Sequence, residues 1–331
     1  MILAKHPLRL FAAWVLLCLC LQKALAQQSA TPDSLYPQRL TWVLGLGIPA
    51  YGGATYLLYD TWYKNYELGP FHTFNDWGEW RGMDKAGHLY ATYAESELAF
   101  RVAQWVGFRR NSAVWLGVGT GMLIQSTLEI MDGFSQKWGF SWPDMAFNIA
   151  GAGLFAAQEL HWQEQRIRIK GSAWHPGYPE AVITSTDGQS TTSLQERGQD
   201  LFGQGAVQTF LKNYNATTVW LSINPSSFLA TPSAKKFPAW LNIALGYGAG
   251  NLYGGHDNTW TSDSGAAFEL SAQNYPRYSQ FYLSLDLDLR RIPVNNRTLR
   301  TLLHSLNWLK IPAPALEINT RGGVKGHLWH W

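Results

Sequence analysis

The sequence predicts an α+β chain, an N-terminal helical bundle, either periplasmic or membrane-embedded, followed by a C-terminal antiparallel β region. Three observations predict it. Between residues 84 and 165 apolar residues recur at helical spacing and small residues are frequent. Beyond residue 210 apolar and polar residues alternate with a period of two. Between the two lies a turn-rich polar connector, 173–210, that carries His175-Pro176-Gly177-Tyr178-Pro179.

Residues 1–26 read as an export signal: Lys5 and Arg9 precede an apolar run from Leu10 to Leu21, and Ala24-Leu25-Ala26 supplies small residues for cleavage before Gln27. A polar, proline-containing linker, 27–39, leads to the helical part, 40–172. Leu40 to Tyr59 is apolar but interrupted by Gly45, Gly47, Pro49, Gly52 and Gly53, which predicts two helical pieces or a hairpin rather than one helix. Asp60 to Arg81 is an aromatic-rich loop. Asp84 opens a helix to about Gly107, with its carboxylate in the first turn where the helix dipole favours it. Ser112 to Met131 is a second helix, apolar until Gln125 and Glu129. Pro143 begins a third, to about Gln165, whose Ala and Gly residues permit close backbone approach. Counting helices as inner-membrane crossings would put Arg109, Arg110, Arg166, Arg168 and Lys170 on the periplasmic side, against the positive-inside bias; periplasm or outer membrane is therefore favoured over inner membrane.

The β region, 211–331, is clearest where Phe281, Leu283, Leu285, Leu287 and Leu289 alternate with polar residues, and again from Trp240 to Tyr247. Weaker strands are Thr217 to Ile223, Ala266 to Ala272, Ala315 to Asn319 and Val324 to Trp331, and a short helix falls near 298–309. About six strands is fewer than the smallest outer-membrane barrels use, so a partial sheet packed on helices is favoured over a closed barrel.

Composition narrows the function. Removing Lys5, Arg9 and Lys23 from the 26 basic residues leaves the mature chain formally neutral against 23 acidic ones, which argues against nucleic acid as a partner. Both cysteines, Cys18 and Cys20, lie in the leader, so the exported product has no disulfide or thiolate metal ligand. Each follows a leucine, a poor context for lipidation. Seventeen Trp, fifteen Tyr and fifteen Phe suit a membrane interface or a lipid or glycan site, as well as an aromatic core.

The chemistry concentrates in Asp84, Lys85, His88, Glu129, Asp132, Asp144 and Asn148, polar residues on otherwise apolar segments. Burying such groups singly costs several kcal/mol or more, so they bind something or satisfy one another. Asp84 and His88, Glu129 and Asp132, and Asp144 and Asn148 stand three or four apart, hence on common helix faces. His88, Glu129, Asp132 and Asp144 could ligate a divalent metal, and His88, Glu129 and Asp144 could serve as acid and base with Asn148 as a donor. The competing reading is a structural network with Lys85 on one acid and His88 on another. His161, His175 and His256 read as surface residues, and Asn215 and Asn296 head chance-grade glycosylation sequons.

Asp84-Lys85-Ala86-Gly87-His88, Glu129-Ile130-Met131-Asp132-Gly133-Phe134-Ser135 and Trp138-Gly139-Phe140-Ser141-Trp142-Pro143-Asp144-Met145-Ala146-Phe147-Asn148 resemble the YfiM-like predicted periplasmic lipoproteins. Shorter blocks at 212–215, 238–242, 285–288 and 312–317 extend the likeness. The resemblance implies an exported envelope protein and no reaction. The order Asp-Lys-x-x-His, Glu, Asp-x-x-x-Asn also resembles, more distantly, the VanZ-like membrane proteins, which is fold-level analogy. The resulting expectation is an envelope protein that binds or organises membrane lipid, glycan or a protein partner. The alternative is a metal-assisted hydrolase or transferase acting on an envelope lipid or glycan.

Overall fold

Helices fill the N-terminal half and an antiparallel sheet the C-terminal half of the computed structural model, which describes residues 36–331 apart from 65, 175–176, 204–205 and 230–236. The leader, most of the linker and His175 lie outside the described residues. Among the described residues no helix is long and apolar enough to cross a membrane. The chain divides into two compact units, 36–77 with 87–165, and 78–86 with 166–331.

The first helix, α1 (Pro37–Leu58), is one element rather than the expected two pieces or hairpin, and its first residues are those assigned to the linker. Pro37 starts it where a proline's missing N–H is harmless. Pro49 lies inside the helix, which continues through it. None of its side chains is buried. α2 (Met83–Val106), α3 (Arg110–Gly133) and α4 (Trp142–His161) match the three predicted helices within a few residues.

Within the helical unit these three pack backbone to backbone. A Cβ on Gly117 would lie 2.5 Å from the Ser96 carbonyl oxygen, one on Gly121 2.6 Å from Ser96 Oγ, and one on Gly151 2.4 Å from the Leu89 carbonyl oxygen. Glycine therefore sets the spacing of α2 from both α3 and α4. Phe155, buried, meets Tyr93 and Phe100 edge-on in the same layer.

The second unit holds a six-stranded antiparallel sheet in the order β1-β4-β5-β8-β9-β10, with β1 (Ile167–Ala173), β4 (Thr217–Ile223), β5 (Leu241–Gly250), β8 (Tyr278–Leu287), β9 (Ala313–Asn319) and β10 (Val324–His330). Two short hairpins, β2 (Val182–Thr184) with β3 (Thr191–Ser193) and β6 (Thr259–Thr261) with β7 (Ala267–Glu269), stand apart from it. Helices α5 (Leu194–Phe202), α6 (Ala206–Lys212) and α7 (Arg297–Leu306) complete the unit. Sequence reasoning missed β1, because Arg168 and Lys170 alternate with Ile167 and Ile169 in a segment that reads as the polar end of the helical part.

The sheet is inverted relative to a water-soluble sandwich. On the covered face lie Ser222, Asn242, Ser284, Asp286 and Glu317, all at most 5 % exposed, around Trp220 and Tyr282. Lys170, fully buried, places Nζ 2.8 Å from Asp286 Oδ2, and Ser222 donates to the same oxygen at 2.6 Å. Asp288 takes Asn307 at 3.0 Å and faces the Arg168 guanidinium at 3.5 Å. Trp220 covers Gly246, where a Cβ would meet its ring at 2.7 Å. The opposite face carries registered rows, Leu221–Leu245–Leu283–Leu316 and Ile223–Ile243–Leu285, whose members on β5, β8 and β9 are 40–49 % exposed.

Candidate functional site

The polar cluster of the helical unit is built from α2, α3 and α4, and its centre is His88. Nδ1 of His88 lies 3.1 Å from Asn148 Oδ1, itself fully buried on α4. The Thr92 hydroxyl, one turn further along α2, lies 2.9 Å from the His88 carbonyl and 2.7 Å from the same Asn148 oxygen, so its single proton serves either acceptor. An amide oxygen can only accept, so the proton of the neutral imidazole resides on Nδ1 and Nε2 presents its lone pair.

That lone pair faces acids. Nε2 stands 3.5 Å from Glu129 Oε1 on α3 and 3.7 Å from Asp144 Oδ2 on α4. The side chains of Glu129 and Asp144 are 1 % and 5 % exposed and that of His88 15 %, so His88 is the most exposed of the three. A lone pair between two carboxylates is repulsive until a positive charge, a second imidazole proton or a cation, occupies the space.

Ser141 fixes the two acids. It caps α4 by accepting from the Asp144 N–H at 3.0 Å, its own N–H donates to Glu129 Oε2 at 3.0 Å, and its hydroxyl donates to Asp76 Oδ1 at 2.6 Å. Asp76 and Ser141 escaped the sequence reading, although a serine followed three residues later by an acid at a helix start is a capping signature. Above them the Gly133–Phe140 turn pairs with the 68–74 loop: the Gly69 N–H donates to the Phe134 carbonyl and His72 to Gly133. Phe71 packs against Gly133, where a Cβ would lie 2.3 Å from its ring.

The expected convergence is partial. His88, Glu129, Asp144 and Asn148 come together. Asp132, in the last turn of α3, accepts from the Tyr63 hydroxyl at 2.8 Å. Burial, with the Asp132 and Glu129 carboxylates nearby, holds the Tyr63 phenol far above its ordinary range. Asp84 accepts from the Tyr214 hydroxyl at 2.8 Å and lies 3.2 Å from Lys85. The helical unit holds one more perturbed acid, Glu95, on α2. Burial pushes its carboxyl up to about 8, and the Gln125 amide, at 2.9 Å and 3.0 Å from its two oxygens, draws it back down.

The weaker candidates resolve simply. His161 and His256 are exposed. Asn215 is spent on the Leu252 backbone at both ends of its amide, and Asn296 caps α7.

Comparison with known proteins adds one match. Residues 73–158 fit a family described as "Predicted periplasmic lipoprotein (DUF2279)", a segment that holds the first three blocks of the likeness and all four convergent side chains. The blocks beyond residue 158 lie outside it. No curated protein and no solved structure matches the chain, and the VanZ-like likeness finds no support. The protein is exported, to the periplasm or the outer membrane. Over residues 73–158 the chain is thus similar to a family of predicted periplasmic lipoproteins, a likeness that spans about a quarter of its length.

Proposed function

We propose that this exported envelope protein is a cation-dependent binding module whose helical unit holds a divalent ion between His88 Nε2, Glu129 and Asp144. The single observation that carries the reading is His88 Nε2 set 3.5 Å and 3.7 Å from two carboxylate oxygens. Those separations are long for hydrogen bonds and suit ligands that share one ion at about 2.0–2.2 Å each. One imidazole and two carboxylates suit a borderline or hard divalent ion. Asn148 orients the imidazole as outer partners of metal-bound histidines do, and Ser141 does the same for the carboxylates. The more exposed His88 side would admit an oxygen of an envelope lipid head group or glycan to complete the shell.

Metal analysis tests it. Purified protein equilibrated with Zn2+ or Mn2+ and then desalted should retain one ion per chain, and His88→Ala and Glu129→Gln should retain none. A metal-free wild type whose melting temperature ignores both added metal and EDTA would leave His88 as an imidazolium in a structural network, and the proposal fails.

One feature favours a second reading, a metal-assisted hydrolase or transferase: a set of three protein ligands is the pattern of catalytic rather than closed structural centres. The readings part on turnover. Metal-loaded protein incubated with envelope phospholipid or cell-wall glycan leaves them intact if it only binds, and cleaves one of them if it is an enzyme.

A further inference from the structure

The C-terminal unit carries a second feature, independent of the cation site. Its sheet hides charge and shows hydrocarbon. Lys170, Asp286 and Asp288 are at most 1 % exposed, while Leu245, Leu283 and Leu285, their neighbours in the ladder, are 47–49 % exposed. Scattered apolar residues on a surface need no explanation, but registered rows of them across four adjacent strands form one contiguous patch. A sheet with polar residues inside and apolar residues outside has the pattern of lipid-facing β structure.

The sheet's edges decide how such a face can meet lipid. Among the described residues β1 and β10 close no ladder with each other. Upright in hydrocarbon, outer N–H and C=O groups other than those of Gly171, which pair with Trp308 and Lys310, would go unpaired at several kcal/mol each. Lying face-on, only the outward side chains enter the acyl region and both edges stay at the head-group level.

α7 carries an exposed apolar row of its own. Leu299, Leu302 and Leu306 recur on one side of it and are 37–44 % exposed, with Arg297 and Arg300 beside them, the composition of a helix that lies in a membrane interface and meets anionic head groups. Trp240 at the start of the β5 ladder and Trp329 on β10 are 37 % and 73 % exposed, where interfacial aromatic residues are expected.

We infer that the outward face of the β5–β8–β9 sheet, with α7, is a membrane-docking surface that lies face-on in one leaflet of an anionic phospholipid bilayer. This extends beyond the cation site and does not depend on it.

Flotation with vesicles of phosphatidylethanolamine and phosphatidylglycerol tests the inference on the full exported chain. The wild type should float with the vesicles, and should lose most of that binding when phosphatidylglycerol is replaced by phosphatidylcholine or when salt is raised. The double variant Leu283→Glu/Leu285→Glu should partition at least tenfold less while melting as the wild type does, because both side chains are already half in water. Arg297→Gln/Arg300→Gln should weaken binding and flatten its salt dependence. A nitroxide on Leu283→Cys should become protected from an aqueous relaxant when vesicles are added, while one on Ser264→Cys, in the exposed β6–β7 turn, should not. Equal flotation of the glutamate variant and the wild type overturns the inference. So does protection of the Leu283→Cys label without vesicles in a protein that sediments as a dimer, which assigns the face to a second copy.

Discussion

Gly151→Ala should destabilise the helical unit although it adds a single methyl group to a helix that alanine ordinarily favours. The new Cβ would lie 2.4 Å from the Leu89 carbonyl oxygen and 3.2 Å from the Leu89 carbonyl carbon and the Tyr93 nitrogen. All three are backbone atoms of α2, so no side chain can rotate out of the way. Restoring an ordinary contact needs about 1 Å of helix separation, and overpacking of that kind costs about 1–3 kcal/mol. The same shift stretches the 3.1 Å His88–Asn148 hydrogen bond past its useful range, which removes about 1 kcal/mol more. Alanine's helix preference returns about 1 kcal/mol. The net loss is about 1–3 kcal/mol, a drop of about 3–10 °C in melting temperature for a unit of this size. Gly153→Ala, two residues on, is the control: its Cβ meets nothing within 4 Å, so only the preference remains and the variant should gain about 1 kcal/mol. Far-ultraviolet circular dichroism melts of both variants decide the matter. If Gly151→Ala melts at or above Gly153→Ala, the helices do not touch as described, and the geometry that aims Asn148 at His88 falls with them.

Asn148→Ala should weaken divalent-cation binding by about 10- to 100-fold, read by calorimetric titration, because the imidazole loses the acceptor that fixes its tautomer. Glu95 gives a pH signature. Its carboxyl stays protonated in the folded unit up to about 8 while the unfolded chain ionises near the ordinary carboxylate value, so stability should fall between those limits as pH rises, by at most about 1.4 kcal/mol per unit. Glu95→Gln should flatten that slope in urea titrations run across the window. Lys170→Ala leaves Asp286 charged and buried without its cation and should cost about 3–5 kcal/mol, with Lys170→Met/Asp286→Leu recovering most of it in the same melts. Ser193→Ala removes one half of the capping box with Glu196 at the start of α5 and should cost about 1 kcal/mol by chemical denaturation.

Element type was legible wherever a period repeated. α2, α3 and α4 announced themselves by helical spacing, and β5 and β8 by alternation over ten residues. Periodicity gives two faces without saying which one is covered, so the burial of Asp286 in place of Leu285 could not be read from the pattern. β1 was lost for the same reason, since its alternate residues are Arg168 and Lys170 and their partners lie more than a hundred positions away. At the proposed cation site the residue types and spacings named His88, Glu129, Asp144 and Asn148. Asp132 shares the helix end with Glu129 but accepts from Tyr63, a partner that spacing alone does not reveal. Ser141 and Asp76 were hidden by ordinariness: a cap serine and a loop acid matter here only through the partners they meet.

The buried charges of the sheet also act as a proofreading device. Slipping β8 by one residue against β5 would turn Asp286 and Asp288 outward and drive Leu285 and Leu287 against Lys170 and Arg168, so a misaligned ladder leaves cations without anions while still exposing its own backbone. In this chain a one-residue misalignment is penalised on both sides at once, which favours the native pairing over its nearest neighbours.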